Sequence, residues 1–420
     1  MSARKCRLQY SKFVSCLFIA LSLVIVLGAH AQTLTVLHNF TDGADGASPW
    51  VGVTMDQAGN LYGTTAYGGD PNACSGYGCG VVFKMARRNS RWTFAPIYTF
   101  TGGQDGAVPL ARVVFGPNGS LYGSTFVGGN GYYAEGTGVI FNLQPPAHAS
   151  GRVFDPWVET VLYRFGGVSD GNWPSGDLIF GAGGSIFGTT QSGGYECEDT
   201  VYCGTVFELS PNGSGWTENV LYEFNQGSVA VPMAGLVFDQ VGRLYGTTSN
   251  SSGAVFQLAQ SGSFWTETTV YRFLGGSDGY MPVGGLVYEP PSHFFGTTEF
   301  GGVNGLGTVY QLDEMFNGWT HTVLYSLTNG HSPQSTLFRD SAGNLYGTTC
   351  NGGANNSGTV FKLENVGGTW TEQDLYQFTG GNDGYCPLGQ VIVDSGGNVY
   401  GTTIYGGTSQ HGVVFEISPS

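Results

Sequence analysis

Basic residues are scarce in this chain. Beyond residue 31 only Lys84 and Lys362 remain as lysines, and 11 Lys and Arg stand against 30 Asp and Glu, a net charge of −19 for that portion and −15 for the whole. Phosphate backbones and anionic membranes are bound through basic patches, so nucleic acid and anionic lipid are excluded as partners. Segments of helical period are also missing after residue 31, which points to an all-β chain. The six histidines of that portion (38, 148, 293, 321, 331 and 411) show no HxxxH or HxH spacing, and no Gly-x-Ser-x-Gly elbow is present. Metallohydrolase and serine-hydrolase readings therefore lack support, as does a sialidase, whose Asp-box is absent. The residue pattern points to a protein that is not an enzyme.

What is present begins with a leader. Arg4, Lys5, Arg7 and Lys12 precede an apolar run from Phe13 to Gly28, and Ala29-His30-Ala31 follows. Charge, a run short of a membrane span and a small-x-small site predict a cleaved signal peptide over 1–31. The mature chain is expected to start at Gln32 as a single domain over 32–420, with no membrane span, and to be secreted, periplasmic or held at the cell surface.

Glycine contributes 71 of 420 residues, yet aromatics at 14% supply enough apolar surface for a core. The glycines follow a rule. A phrase of apolar residue, aromatic, Gly, Ser or Thr, and Thr recurs seven times, at 61–65, 121–125, 186–190, 244–248, 294–298, 345–349 and 399–403. Spacing of 50 to 65 residues between copies marks a propeller or solenoid. Each repeat holds four short apolar or alternating runs, here termed A to D. In the second repeat they are Leu110 to Phe115, Ser120 to Thr125, Gly138 to Leu143 and Trp157 to Phe165. Four antiparallel strands repeated around an axis make a propeller blade.

The D run is nearly a formula, with copies at 92–100, 157–165, 216–224, 265–273, 319–327 and 370–378. A seventh copy is missing after the last repeat and reappears at the other end, where Thr33 to Phe40 fits the pattern without its tryptophan. The prediction is a seven-bladed propeller of four-stranded antiparallel blades, closed by the N-terminal strand joining the C-terminal blade. Closure removes the sheet edges that invite aggregation.

These units, with Asn-Leu-Tyr-Gly-Thr-Thr at 344–349, then Gly-Gly, then Gly-Thr-Val-Phe-Lys-Leu at 358–363, resemble the GloVer-type choice-of-anchor tandem repeat family of exported bacterial proteins. The resemblance covers residues 33–417. It implies a surface or extracellular location and no assigned activity. The chain departs from anchored members in showing no sorting tail, so free secretion or periplasmic residence is expected over covalent anchoring.

With A lining the axis, the D-to-A and B-to-C connections share one face. The B-to-C connection varies most: the distance from phrase glycine to the next aromatic is 20, 18, 19, 10, 14, 14 and 14 residues. Insertions confined to one face mark a candidate binding face. Cys74 with Cys79 and Cys197 with Cys203 are placed to staple their own long loops, and Cys350 with Cys386 to join neighbouring blades. Three bridges on one face fit an oxidising compartment, and the spacings are not those of a zinc cluster.

The same face carries Phe-x4-Asp-Gly-x-x-Pro in five blades, with aspartates at 45, 105, 170, 278 and 383. Asp-Gly before Pro is first of all turn chemistry. Beside these sit Trp50, Trp173, Tyr280 and Tyr385, with Tyr132, Tyr133, Tyr195 and Tyr405 in neighbouring loops. Aromatic rings beside carboxylates suit a neutral sugar by stacking and hydrogen bonding, and suit a protein interface too. The candidate ligand-binding residues are Trp50, Asp105, Asp170, Trp173, Asp278, Tyr280, Asp383 and Tyr385. No cofactor or metal is expected; calcium is the cation to test, though one aspartate per loop falls short of an EF-hand-like string. The leading reading is a monomeric binding module for extracellular glycan or protein. The alternatives are a polysaccharide hydrolase or lyase using Asp105, Asp170, Asp278 and Asp383 at the axial mouth, and a purely structural surface protein.

Overall fold

The computed structural model describes residues 32–89, 91–117, 119–129, 136–146, 157–167, 169–194, 203–225 and 230–419. The expected signal peptide, Cys197, Tyr132, Tyr133 and Tyr195 lie outside the described residues. Seven antiparallel sheets form a β-propeller. Each runs A to D from the axis outward, as in Val237–Phe238, Leu244–Thr248, Ala254–Ser261 and Phe264–Arg272 of the fourth blade. The third sheet gains a fifth strand, Asn172–Pro174. The only helical pieces among the described residues are three short 3-10 turns, and no helix there is long and apolar enough to cross a membrane.

The recurring phrase has a separate steric or bonding role for nearly every position. Its glycine lies directly opposite the aromatic of strand C in all seven blades, as Gly63 opposite Phe83 and Gly347 opposite Phe361. A Cβ on Gly347 would stand 2.4 Å from Phe361 Cζ, so the ring occupies the space that any side chain would need. The Ser or Thr that follows donates to a backbone carbonyl at the inner edge of the next blade, at 2.8–3.4 Å, in every blade. The last Thr accepts the N–H that opens strand C in six blades. Thr248 is the exception: its buried hydroxyl has no partner, in the blade with the shortest B-to-C connection.

Strands B and C are buried almost throughout, whereas D alternates between exposed and half-buried residues, as expected of an outer strand with one wet face. The core consists of clusters shared between neighbouring blades, such as Tyr62 and Val82 of the first with Leu121 and Phe141 of the second. A fully buried Phe or Leu contributes roughly 1.5–3 kcal/mol. The D-strand tryptophans cover these seams. Trp157 meets Tyr62 edge-on at 6.0 Å, Trp319 meets Tyr245 at 5.8 Å and Trp92 meets Tyr400 at 5.9 Å, each ring reaching the preceding blade.

Ring closure follows the predicted route. Thr33–Asn39 pairs antiparallel with Val413–Ser418, from Thr33 opposite Ser418 to Asn39 opposite Val413. Thr402 Oγ1 donates to the Val51 carbonyl at 2.8 Å across the same seam. One expectation needs correction. The inner run of the second blade, expected as a strand over 110–115, is regular strand only at Val114–Phe115. Its upstream backbone serves the neighbouring blades instead: the Ala111 carbonyl accepts from Thr64, the Val113 carbonyl accepts from Thr54, and the Arg112 N–H donates to Asp177.

Candidate functional site

The loop face is built by a sevenfold backbone device. The residue before each proline, namely Ser48, Val108, Trp173, Val231, Met281, Ser332 and Cys386, adopts a left-handed conformation with φ of 55–62°. Its N–H donates at 2.8–3.3 Å to the residue preceding the glycine that opens strand C of the previous blade. That conformation costs a non-glycine residue on the order of 1–3 kcal/mol, so the inter-blade bond and the proline packing must hold it. The proline ring packs on that same glycine: a Cβ on Gly358 would lie 2.6 Å from Pro387 Cδ. Short antiparallel bridges or strand pairs then tie six of the segments to the B-to-C loop of their own blade, as at Tyr280 with Phe300 and Tyr385 with Tyr405.

The five aspartates of the Asp-Gly motif are caps. Each accepts the backbone N–H four residues earlier and a ring donor seven residues earlier: His38 for Asp45, Tyr98 for Asp105, Tyr163 for Asp170, Tyr271 for Asp278 and Tyr376 for Asp383. Burial and the facing carboxylate push the Tyr376 hydroxyl up to about 12, and the other three tyrosines rise further for the same reasons. These aspartates therefore sit over the outer strands, and none of Asp105, Asp170, Asp278 and Asp383 lines the axial channel. The ring donor at −7 carries no signal in the turn motif itself, but it recurs two residues before the phenylalanine in all five copies.

Two seams bring carboxyl groups of adjacent blades together. Burial, assisted by Asp105, raises Glu159 to about 7, and burial assisted by Asp170 raises Glu218 to about 7. One oxygen of Glu159, one of Glu218 and one of Asp170 are shielded without a hydrogen-bond partner. In a third seam the position is His321, which pairs with Asp278 at 3.2 Å; burial lowers its basicity and the aspartate opposes that. Among the described residues no group of three or more His, Cys, Asp or Glu side chains is placed to hold a metal ion.

The predicted aromatics divide. Trp173 is 41% exposed and stacks on Phe126 at 5.6 Å; Tyr405 is 44% exposed and stacks on Tyr385 at 5.9 Å; Tyr280 stacks on Phe300 at 5.3 Å. Trp50 lies apart, in the wall of the axial channel, and its indole N–H has no partner. Cys74 pairs with Cys79 and Cys350 with Cys386, as expected from their loops. Cys203 is also disulfide-bonded.

The channel itself was not legible as a site. It holds about 200 Å³, and its mouth is ringed by the residue after each of the seven prolines: Trp50, Leu110, Ser175, Met233, Val283, Gln334 and Leu388. That position is a readable signal, because the prolines mark it in the sequence. Deeper in, Arg112 donates Nε to Asp177 Oδ2 at 2.8 Å and forms an ion pair with it at 2.6 Å. Asp177 is the single carboxylate among the described lining residues. Adjacent blades close to backbone contact here, since a Cβ on Gly52 would fall 1.8 Å from the Gln390 carbonyl oxygen.

The sequence pattern of the Gloeobacter/Verrucomicrobia repeat matches residues 24–155, 75–290 and 248–420. Among curated proteins none matches the chain. Several solved structures are similar. A fungal alcohol oxidase of the AA5 family, in complex with copper, aligns at 11% identity and a TM-score of 0.57, covering 93% of this chain and 76% of that one. The extracellular domain of a putative one component system from B. thetaiotaomicron aligns at 11% identity and 0.52, covering 91% and 39%. A putative 6-phosphogluconolactonase from Bacteroides uniformis aligns at 14% and 0.49, covering 77% and 84%. At these identities the first two likenesses show the fold alone.

Proposed function

The chain belongs to the Gloeobacter/Verrucomicrobia repeat family, and from that premise we propose that it is an exported, monomeric binding module that recognises extracellular glycan or protein through its loop face. The observation that carries this reading is the division of labour on that face. The aspartates are spent on caps, whereas Trp173 and Tyr405 remain open beside them. An exposed aromatic held by backbone strain and a stacked neighbour is a pre-ordered contact, and pre-ordering lowers the cost of binding. Paired cysteines on the same face support an oxidising compartment.

A hydrolase or lyase has less support. Glycoside cleavage needs two carboxyl groups flanking a bond, and the channel wall offers one, which is neutralised by Arg112. The test is a glycan array of the chain from Gln32, with and without calcium, comparing wild type with Trp173→Ala. Binding that disappears in the mutant is expected for a glycan ligand. Silence under both conditions removes the glycan arm for those sugars and leaves a protein partner.

A further inference from the structure

We propose that the axial channel is a socket for a single large apolar side chain of a cationic polypeptide segment. This rests on the reading of the loop face as the binding face and names the class of partner. Five of the seven mouth residues are apolar: Trp50, Leu110, Met233, Val283 and Leu388. The other two are held by neighbours, since Gln191 donates to Ser175 Oγ at 2.7 Å and Gln334 donates to Glu299 at 2.7 Å. Below them Arg112 and Asp177 satisfy each other. One N–H of each of Gln191, Gln334 and Gln390 is engaged by a neighbour, so the apolar side chains dominate the mouth. A mouth with five apolar residues takes an apolar group; about 150 Å³ is enough for benzene, so 200 Å³ accepts a Leu, Met or Phe side chain.

Charge selects what surrounds that side chain. The described residues of segments 40–53, 100–113, 165–178, 224–236, 273–286, 327–337 and 378–391, with those of the B-to-C loops, contain nine Asp and Glu and a single Lys or Arg. That one cation is Arg112, already paired inside the channel. The exposed members include Asp42 and Asp70. An apolar socket among loops with this acidic excess, where Arg164 is bonded to the Gln104 carbonyl at the rim, favours a partner with Lys or Arg flanking its apolar anchor, and electrostatic steering raises the association rate of such a segment. The buried anchor supplies most of the affinity.

The experiment is selection from a random heptapeptide display library against the chain from Gln32, followed by anisotropy titration of the enriched peptides. The expected consensus is one large apolar residue flanked by Lys or Arg. Replacing that residue by Ala should weaken binding at least tenfold. Filling the socket with Val283→Trp, or independently with Met233→Trp, should do the same with an unchanged melting temperature. Val241→Asp, on an exposed site of the opposite face, should leave the titration unaltered. Failure to enrich such peptides, or equal binding to both socket-filled variants, overturns the proposal. The glycan array decides the parent reading separately: glycan binding lost with Trp173→Ala, alongside no peptide binding, keeps the loop face as a binding surface while removing its peptide socket.

Discussion

The two faces of this propeller solve the same problem, closing seven pairs of strands, with different degrees of freedom. On the A-to-B face four turns are near copies. Asp56, Asp239, Asp340 and Asp394 each accept the N–H groups two and four residues ahead, the side chain of the residue four ahead, and a tyrosine hydroxyl. Cations are present there too, as Arg243 with Glu314 and Arg339 with Glu289. On the loop face the backbone is equally repetitive, down to the left-handed residue before each proline, but the side chains differ from blade to blade and carry almost no positive charge. Repetition of the backbone without repetition of the side chains is what a scaffold displaying a particular surface requires.

Substitutions in the shared frame should break both faces at once. Gly347→Val drives a branched side chain into Phe361 and is expected to cost about 3 kcal/mol or more, measured by chemical denaturation. The double change Cys350→Ser with Cys386→Ser touches the loop face alone. A loss of about 2–4 kcal/mol is expected in oxidising buffer, with no difference between the proteins under reductant. Asp340→Ala on the turn face removes the acceptor of four hydrogen bonds and should cost about 2 kcal/mol while leaving ligand binding intact.

The seams sharpen the comparison through pH. Glu159 and Glu218 hold protons in the folded chain up to about pH 7, whereas an unfolded glutamate releases its proton near 4.5. The folded state thus binds more protons across this window, and stability declines as pH rises from about 4.5 to about 7. Glu159→Gln with Glu218→Gln should flatten that decline. Because both groups are partly solvated, the gain at pH 7.5 is under about 1 kcal/mol, with no gain at pH 4, read from paired melts. Smallest in stability, Trp173→Ala should cost less than about 0.5 kcal/mol, a change in the melting temperature of a degree or two, and still lower binding.

Most of the architecture could be read from the sequence because the phrase at 345–349 and its six counterparts satisfy nearly the same contacts from blade to blade. Its glycine and first hydroxyl meet one fixed partner in all seven blades and its second hydroxyl in six, so the spacing of the phrase reports the fold directly. Turn chemistry correctly described the Asp-Gly loops, yet it left open whether Asp105 or Asp383 also faced the axis; only the capping bonds from Tyr98 and Tyr376 settle where those side chains are spent. The ring of residues at the channel mouth carries no shared sequence signal, because its seven positions share no residue type. Trp50, Ser175 and Gln334 look unrelated until the preceding proline aligns them, and the backbone reversal before that proline has no composition of its own: serine, valine, tryptophan, methionine and cysteine all adopt it.

The strand that shuts the ring also sets an order of events. Thr33–Asn39 belongs to the sheet formed by Val413–Ser418, so the first strand made can find its place only after nearly the whole chain has been made. Every blade between them can assemble from local hairpins, but the seam at the join waits on the longest sequence separation in the molecule, and pairings of that kind are slow. Until it forms, the outermost strand of the last sheet is an open edge. A chain whose ring is still open carries that edge exposed, and the finished ring hides it: the last contact to form is the one that leaves no strand unpaired.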